Sequence, residues 1–126
     1  MRLNHLNLPV DDLAEARSFF ERAFGFRCIR QAADVVSVMS DEHGFTLTLA
    51  NARRFGGETP RYPEAFHVGF IVESPAAVDA AYQRLAAANV PLERAPGRQH
   101  GDYGFYFTAL NGILFEVQCA SKAADG

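Results

Sequence analysis

The sequence predicts an α+β fold built from two copies of one β-α-β-β-β module, and three observations carry that prediction. First, His5-Leu-Asn-Leu-Pro-Val10-Asp-Asp-Leu-Ala14 falls on His67-Val-Gly-Phe-Ile-Val72-Glu-Ser-Pro-Ala76, and the same alignment sets Phe20 on Tyr82 and Arg22 on Arg84. Second, His43-Gly-Phe-Thr-Leu-Thr48-Leu falls on Asn111-Gly-Ile-Leu-Phe-Glu116-Val in the same order. Third, each copy passes from period-two alternation to helical spacing and back, so one helix is flanked by strands in both.

The elements follow in order. Leu3–Val10 alternates as a strand, with Leu6, Leu8 and Val10 on one side. A helix begins at Asp11 or Asp12, with Glu15 placed for a capping box on Asp12. Leu13, Ala16, Phe19, Phe20, Ala23 and Phe24 make its apolar stripe, and Gly25 is a natural stop. Strands are expected near 26–31, 34–40 and 45–50, closing module one at about residue 52. Residues 53–64 have the Gly and Pro content of a linker. Module two, about 65–120, repeats the plan with a strand over Ala65–Glu73. Its helix is opened by Ser74-Pro75, striped by Val78, Ala81, Tyr82 and Leu85, and ends near Asn89. Three strands follow near 91–95, 103–108 and 113–119, and the two modules together make one domain.

Bulk composition excludes several function classes. A chain of 126 residues buries about two-thirds of its unfolded surface and needs no disulfide to fold. Apolar residues are 48% and charged residues 21%, an ordinary globular balance. The formal charge of −3 gives no reason to expect nucleic acid or an anionic membrane as partner. No apolar run approaches the ~20 residues of a spanning helix and the start lacks a signal-peptide core, so a cytoplasmic location is expected. Cys28 and Cys119 are too few for a disulfide framework and read equally well as core thiols.

Alternation then decides which side chains share a face. With Leu6, Leu8, Val10, Phe66, Val68, Phe70 and Val72 packed under the helices, His5, Asn7, Pro9, His67, Gly69 and Ile71 project the other way. On the last strands Phe45, Leu47, Leu49, Ile113, Phe115 and Val117 take the helix side. Thr46, Thr48, Ala50, Leu114, Glu116 and Gln118 take the opposite one. Taken singly, a strand histidine or carboxylate reads as surface or hydrogen-bonded core. Taken together, His5, His67 and Glu116 occupy repeat-related positions and point the same way. Two imidazoles and one carboxylate form a recognised ligand set for a divalent ion such as Fe, Mn, Zn, Ni or Co.

Here the sequence resembles the vicinal oxygen chelate superfamily, which groups glyoxalases, bleomycin resistance proteins and extradiol dioxygenases. The resemblance covers nearly the whole chain. It is clearest in Leu3-Asn-His5-Leu-Asn-Leu-Pro-Val10-Asp-Asp-Leu-Ala14, Phe19-Phe20-Glu-Arg-Ala-Phe-Gly25-Phe26 and Phe66-His67-Val-Gly-Phe-Ile-Val72, and in Tyr106-Phe107 leading to Gly112-Ile-Leu-Phe-Glu116-Val. It implies a curved, cup-like mixed sheet with the helices on its outer face, one divalent metal on His5, His67 and Glu116, and a homodimer whose site is shared between chains.

The resemblance also implies a function class: a metal-dependent lyase, isomerase or transferase in which Lewis-acid activation acts on a small oxygenated substrate bound through adjacent oxygens. Two alternatives are a single-domain extradiol-type dioxygenase and a metal-free binding protein of the bleomycin-resistance kind. The fourth family position, a carboxylate in glyoxalase I-like members, is Thr48 here, a poor ligand and a poor base. Tyr106 matches the dioxygenase tyrosine upstream of the glutamate, whereas no clear counterpart of their acid-base histidine is present and His100 lies in a loop. Asn7 stands where the fosfomycin-resistance transferases carry threonine, and Ala109-Leu-Asn-Gly-Ile113 does not reproduce their turn.

Tyr106 is the candidate catalytic residue, orienting or protonating a bound oxygen, or else simply an aromatic of the strand pair. Asn7, Thr46, Thr48 and Gln118 are candidate substrate hydrogen-bond partners, with Ile71 and Leu114 as apolar wall. Arg53, Arg54 and Arg61 either clasp an anionic substrate or are merely solvated, and His43 reads as surface.

Overall fold

The structure, a computed structural model, describes residues 1–120, with the backbone alone for Gln99. Its element order is β1 (His5–Val10), α1 (Leu13–Phe24), β2 (Arg27–Ala32), β3 (Val36–Ser40), β4 (Thr46–Asn51), a 3-10 turn (Ala52–Phe55), β5 (His67–Ile71), α2 (Pro75–Ala87), β6 (Gly97–Gln99), β7 (Asp102–Ala109) and β8 (Ile113–Cys119). The chain divides into two compact units, Met1–Arg61 and one beginning at Tyr62. Each is a β-α-β-β-β module with a four-stranded mixed sheet, in the order β1-β4-β3-β2 and β5-β8-β7-β6. The first and last strands of each module are parallel, as a crossover through one helix requires, and the remaining pairs are antiparallel.

The helices start and stop where their chemistry dictates. The Asp12 side chain accepts from the Glu15 N–H at 3.0 Å, and Gly25 at φ 70° leaves α1 in the left-handed region that glycine tolerates. The Ser74 hydroxyl accepts from the Ala77 N–H at 3.1 Å, with Pro75 in the first turn of α2. Leu13, Ala16, Phe20 and Ala23 bury one face of α1, and Val78, Ala81 and Leu85 bury one face of α2. They meet Leu8, Val10, Leu47 and Leu49 in the first unit, and Phe105, Phe107, Ile113, Phe115 and Val117 in the second. Burying a side chain such as Phe20 or Phe115 stabilises by about 2–3 kcal/mol.

Alternation holds most strictly on β8, where Ile113, Phe115, Val117 and Cys119 are buried and Leu114, Glu116 and Gln118 are not. Two residues depart from it. Leu6, expected to pack, is exposed at the outer end of β1, and Ala50, expected on the opposite face, is buried.

Residues 91–95 are not a strand. β6 starts only at Gly97, after Pro96. Pro91 and Pro96 lack the N–H a strand ladder needs, so pairing waits until both are passed. The first strand starts at His5, two residues later than the alternation suggests. β7 crosses β8 closely at Gly104, where a Cβ would fall on the Val117 carbonyl oxygen and 2.9 Å from Gln118 Cα.

Candidate metal centre

Parallel pairing of β5 with β8 sets His67 opposite Leu114 and Gly69 opposite Glu116, so His67 and Glu116 are diagonal neighbours on one face. His67 Nε2 lies 3.8 Å from Glu116 Oε1, with side-chain exposures of 44% and 14%. The imidazole is therefore accessible while the carboxylate is mostly enclosed. Gly69 contributes no side chain beside Glu116, and even a Cβ there would stand 3.8 Å from Oε1.

Antiparallel pairing with β7 brings Tyr106 directly opposite Glu116. The Tyr106 hydroxyl donates to the Glu116 carboxylate, and that bond, with some burial, raises the phenol above its ordinary value. Tyr106 thus keeps its proton at neutral pH. Its ring meets the His67 imidazole edge to face, with centroids 6.3 Å apart. His67, Glu116 and Tyr106 form one contiguous group in the second unit, with Leu114 and Gln118 on the same strand face.

The other candidates belong to the first unit. His5, Asn7, Thr46 and Thr48 lie on the paired strands β1 and β4, His5 opposite Thr46 and Asn7 opposite Thr48. Asn7 is exposed and both threonines are half-buried.

The hydrogen bonds of the two histidines match. His67 Nδ1 lies 3.1 Å from the Ala65 carbonyl oxygen, and His5 Nδ1 lies 2.7 Å from Asn4 Oδ1. Both partner oxygens can accept from a ring N–H, an arrangement that suits the tautomer with its proton on Nδ1 and Nε2 free to ligate. This is how metal-ligating histidines are generally fixed.

The donor set fits a divalent ion. Two donors about 2.1 Å from a common ion stand about 3.0 Å apart in octahedral and about 3.4 Å apart in tetrahedral coordination. The observed 3.8 Å closes to either by a small rotamer adjustment. Among the described residues no three His, Cys, Asp or Glu side chains gather into a group that could hold a metal ion.

One feature escaped sequence reasoning, a cavity beside Tyr106. Because 91–96 is a loop, Pro91, Glu93 and Arg94 join Tyr106, Thr108 and Leu114 around a cavity of about 330 Å³. Nothing in the alternation of 91–95 pointed to this. Of the three arginines considered for an anion, Arg53 pairs with Asp11 at 2.9 Å and Arg54 with Asp34 at 3.1 Å, and Arg61 is exposed. His43 is at the surface, in a turn where Asp41 Oδ1 accepts from its N–H at 2.8 Å. His100 lies in a turn at φ 52°. Cys28 and Cys119 are both free thiols. Among the described residues no helix is long and apolar enough to cross a membrane.

Comparison with known proteins agrees with this architecture. The chain is 40% identical to a possible glyoxalase from Bacillus cereus, with a TM-score of 0.81 over 94% of this chain and 99% of that one. A lactoylglutathione lyase from Agrobacterium tumefaciens shares the fold at 20% identity, with a TM-score of 0.77 over 96% and 95% of the two chains. A glyoxalase/bleomycin resistance protein/dioxygenase family enzyme from Burkholderia phytofirmans does so at 19% identity, with a TM-score of 0.78 over 95% and 99%. No curated protein matches in sequence. The family profile aligns with residues 2–117, and the chain belongs to the Glyoxalase/Bleomycin resistance protein/Dioxygenase superfamily.

Proposed function

We propose that this protein is a divalent-metal-dependent enzyme in which His5, His67 and Glu116 hold one ion. The observation that carries the reading is the His67–Glu116 pair, 3.8 Å apart, with His67 Nδ1 3.1 Å from the Ala65 carbonyl oxygen. His5 is its repeat-equivalent and shows the same Nδ1 arrangement, so it is the natural third donor, supplied by this chain or by a second copy in a homodimer. The ion is Fe, Mn, Zn, Ni or Co, all of which accept two imidazoles and a carboxylate.

When bound, the ion supplies Lewis-acid polarisation of two neighbouring oxygens of a small substrate. The protein does the rest. Glu116 sits enclosed between Tyr106 and Gly69, so its charge acts at short range. Tyr106 keeps its one proton at neutral pH and directs it to the Glu116 carboxylate, so it donates to a substrate oxygen by exchanging that bond. Asn7, Thr46, Thr48 and Gln118 offer further hydrogen bonds from the same strand faces, and Ile71 and Leu114 offer apolar surface. Thr48 cannot serve as the general base, so proton abstraction falls to another group or to the substrate itself.

The reaction class we favour is a lyase, isomerase or transferase. The glyoxalase description of the Bacillus cereus relative supports it over an extradiol dioxygenase. The test is elemental analysis of protein purified without a histidine tag, alongside Glu116→Ala. About one ion per chain is expected in the wild type and little in the variant, since losing one of three ligands removes most of the affinity. Equal metal in both proteins, or none in either, would overturn the reading. Oxygen uptake with catechols would replace the favoured class by the dioxygenase.

A further inference from the structure

We propose that the 3-10 turn Ala52–Phe55 and the strand ends beneath it form an apolar subsite. Its occupant is an aromatic or branched alkyl group on the substrate, and this assignment of substrate class rests on the metal-enzyme reading.

The turn is tied down from several directions. Asn51 Oδ1 accepts from the Arg53 N–H at 3.2 Å, while Asn51 Nδ2 donates to the Asp34 carbonyl at 2.8 Å. Arg53 and Thr59 both reach Asp11 Oδ1, at 2.9 and 3.1 Å, and Arg54 reaches Asp34. The Gly57 N–H donates to the Ala52 carbonyl at 3.0 Å, an approach so close that a Cβ on Gly57 would stand 2.9 Å from that oxygen. Exposed ion pairs each contribute little, so the Asn51 and Gly57 hydrogen bonds do most to shape the turn.

That geometry presents Phe55, which is 63% exposed. Its ring borders a solvent-open hollow of about 290 Å³ lined by Asn7, Pro9, Ala50, Ala52, Phe55 and Gly57. Asn7 is the only polar side chain among them. The size suits one substituted ring, since a cavity of about 150 Å³ admits benzene. It is too small to hold a whole ligand of ordinary size, which makes it a subsite.

Charge points the same way. Arg53 and Arg54 are neutralised by Asp11 and Asp34, so the turn offers an anion nothing. Position links the cavity to the proposed centre, because His5, Asn7 and Pro9 share one face of β1. Two residues of strand span about 7 Å, so the cavity begins about 7 Å along the strand from His5. A substrate with adjacent oxygens at one end and an apolar group at the other fits that spacing.

The test begins with metal-stripped protein, so that it does not depend on the ion. Amide ¹H–¹⁵N spectra are followed during titration with benzyl alcohol, and with glycerol as a polar control. Benzyl alcohol is expected to shift the amides of Ala50, Ala52, Phe55 and Gly57, and glycerol is not. Phe55→Ala should weaken the interaction about tenfold while Phe55→Leu keeps most of it, since apolar area governs the affinity. Phe55 is largely exposed, so both variants should give well-dispersed spectra. Shifts that fall elsewhere, or that survive Phe55→Ala unchanged, overturn the subsite. So does a Phe55→Ala variant that loses a dimer but binds benzyl alcohol as before, because Phe55 would then belong to a contact between copies. A second arm compares benzohydroxamate with acetohydroxamate on cobalt-loaded protein. The aryl compound should bind more tightly, and Phe55→Ala should erase that preference. If neither hydroxamate binds, the metal reading fails, while the benzyl alcohol shifts still decide the subsite.

Discussion

Replacing Gly104 by alanine should damage both the fold and the site, and the structure allows the size of the effect to be worked out. Gly104 pairs with Gln118 on β8, and an added methyl would occupy the position of the Val117 carbonyl oxygen. It would also stand 2.9 Å from Gln118 Cα and Cβ. Backbone atoms cannot swing aside as a flexible side chain does, so β7 and β8 must separate. Overpacking costs about 1–3 kcal/mol, and a clash with backbone belongs at the top of that range. For a domain of this length each kcal/mol moves the melting temperature by about 3–5 °C, so Gly104→Ala should melt about 10 °C below wild type. Tyr106 and Glu116 face each other across the same two strands, so metal content should fall as well. Gly97, on the opposite side of the pairing, is the internal control: nothing lies within 4 Å of its would-be Cβ. Thermal unfolding by circular dichroism reads both variants. A Gly104→Ala protein melting within about 2 °C of wild type, or a Gly97→Ala protein equally destabilised, would refute the close crossing of β7 and β8.

Two further outcomes follow from titratable groups and thiols. The Tyr103 hydroxyl donates to Asp79 Oδ1 at 2.7 Å, and that bond, with burial and the nearby carboxylate charge, raises its pKa. A raised folded pKa means that this bond's contribution is full below pH ~10 and is lost as pH climbs through the folded value. The stability gap between wild type and Tyr103→Phe should therefore shrink in alkali, and a difference titration of phenolate absorbance should show Tyr103 ionising late. A gap that widened with pH would contradict it. Cys119 is fully buried and Cys28 only half-buried, so a thiol reagent should modify Cys28 first in the native protein and reach Cys119 only on unfolding. Equal rates at both would show that β8 opens freely.

Much of the fold was legible because its signals are local and repeated. Asp12 with Gly25, and Ser74 with Pro75, bracket the helices by capping chemistry that involves no distant residue. Strict alternation on β8 places Glu116 opposite the core from sequence alone, and the repeat pairs His5 with His67. The less legible parts depend on contacts remote in sequence. Pro91 and Pro96 delay the sixth strand until Gly97 and turn the preceding stretch into a cavity wall beside Tyr106. The 3-10 turn hides within a segment whose glycines and prolines suggest only a linker, because Arg53 and Arg54 find their carboxylates at Asp11 and Asp34. His5 Nδ1 and His67 Nδ1 lie against Asn4 Oδ1 and the Ala65 backbone carbonyl, and no residue type encodes the latter contact.

The claim on which the functional account turns is that the first unit's histidine completes the pair in the second. The direct measurement is cobalt titration of metal-stripped wild type, His5→Ala, His67→Ala and Thr48→Ala, followed by visible absorption and calorimetry. One cobalt per chain is expected in the wild type, about a hundredfold weaker binding in both histidine variants, and little change in Thr48→Ala, which removes no ligand. Wild-type affinity in His5→Ala would contradict the account at its centre.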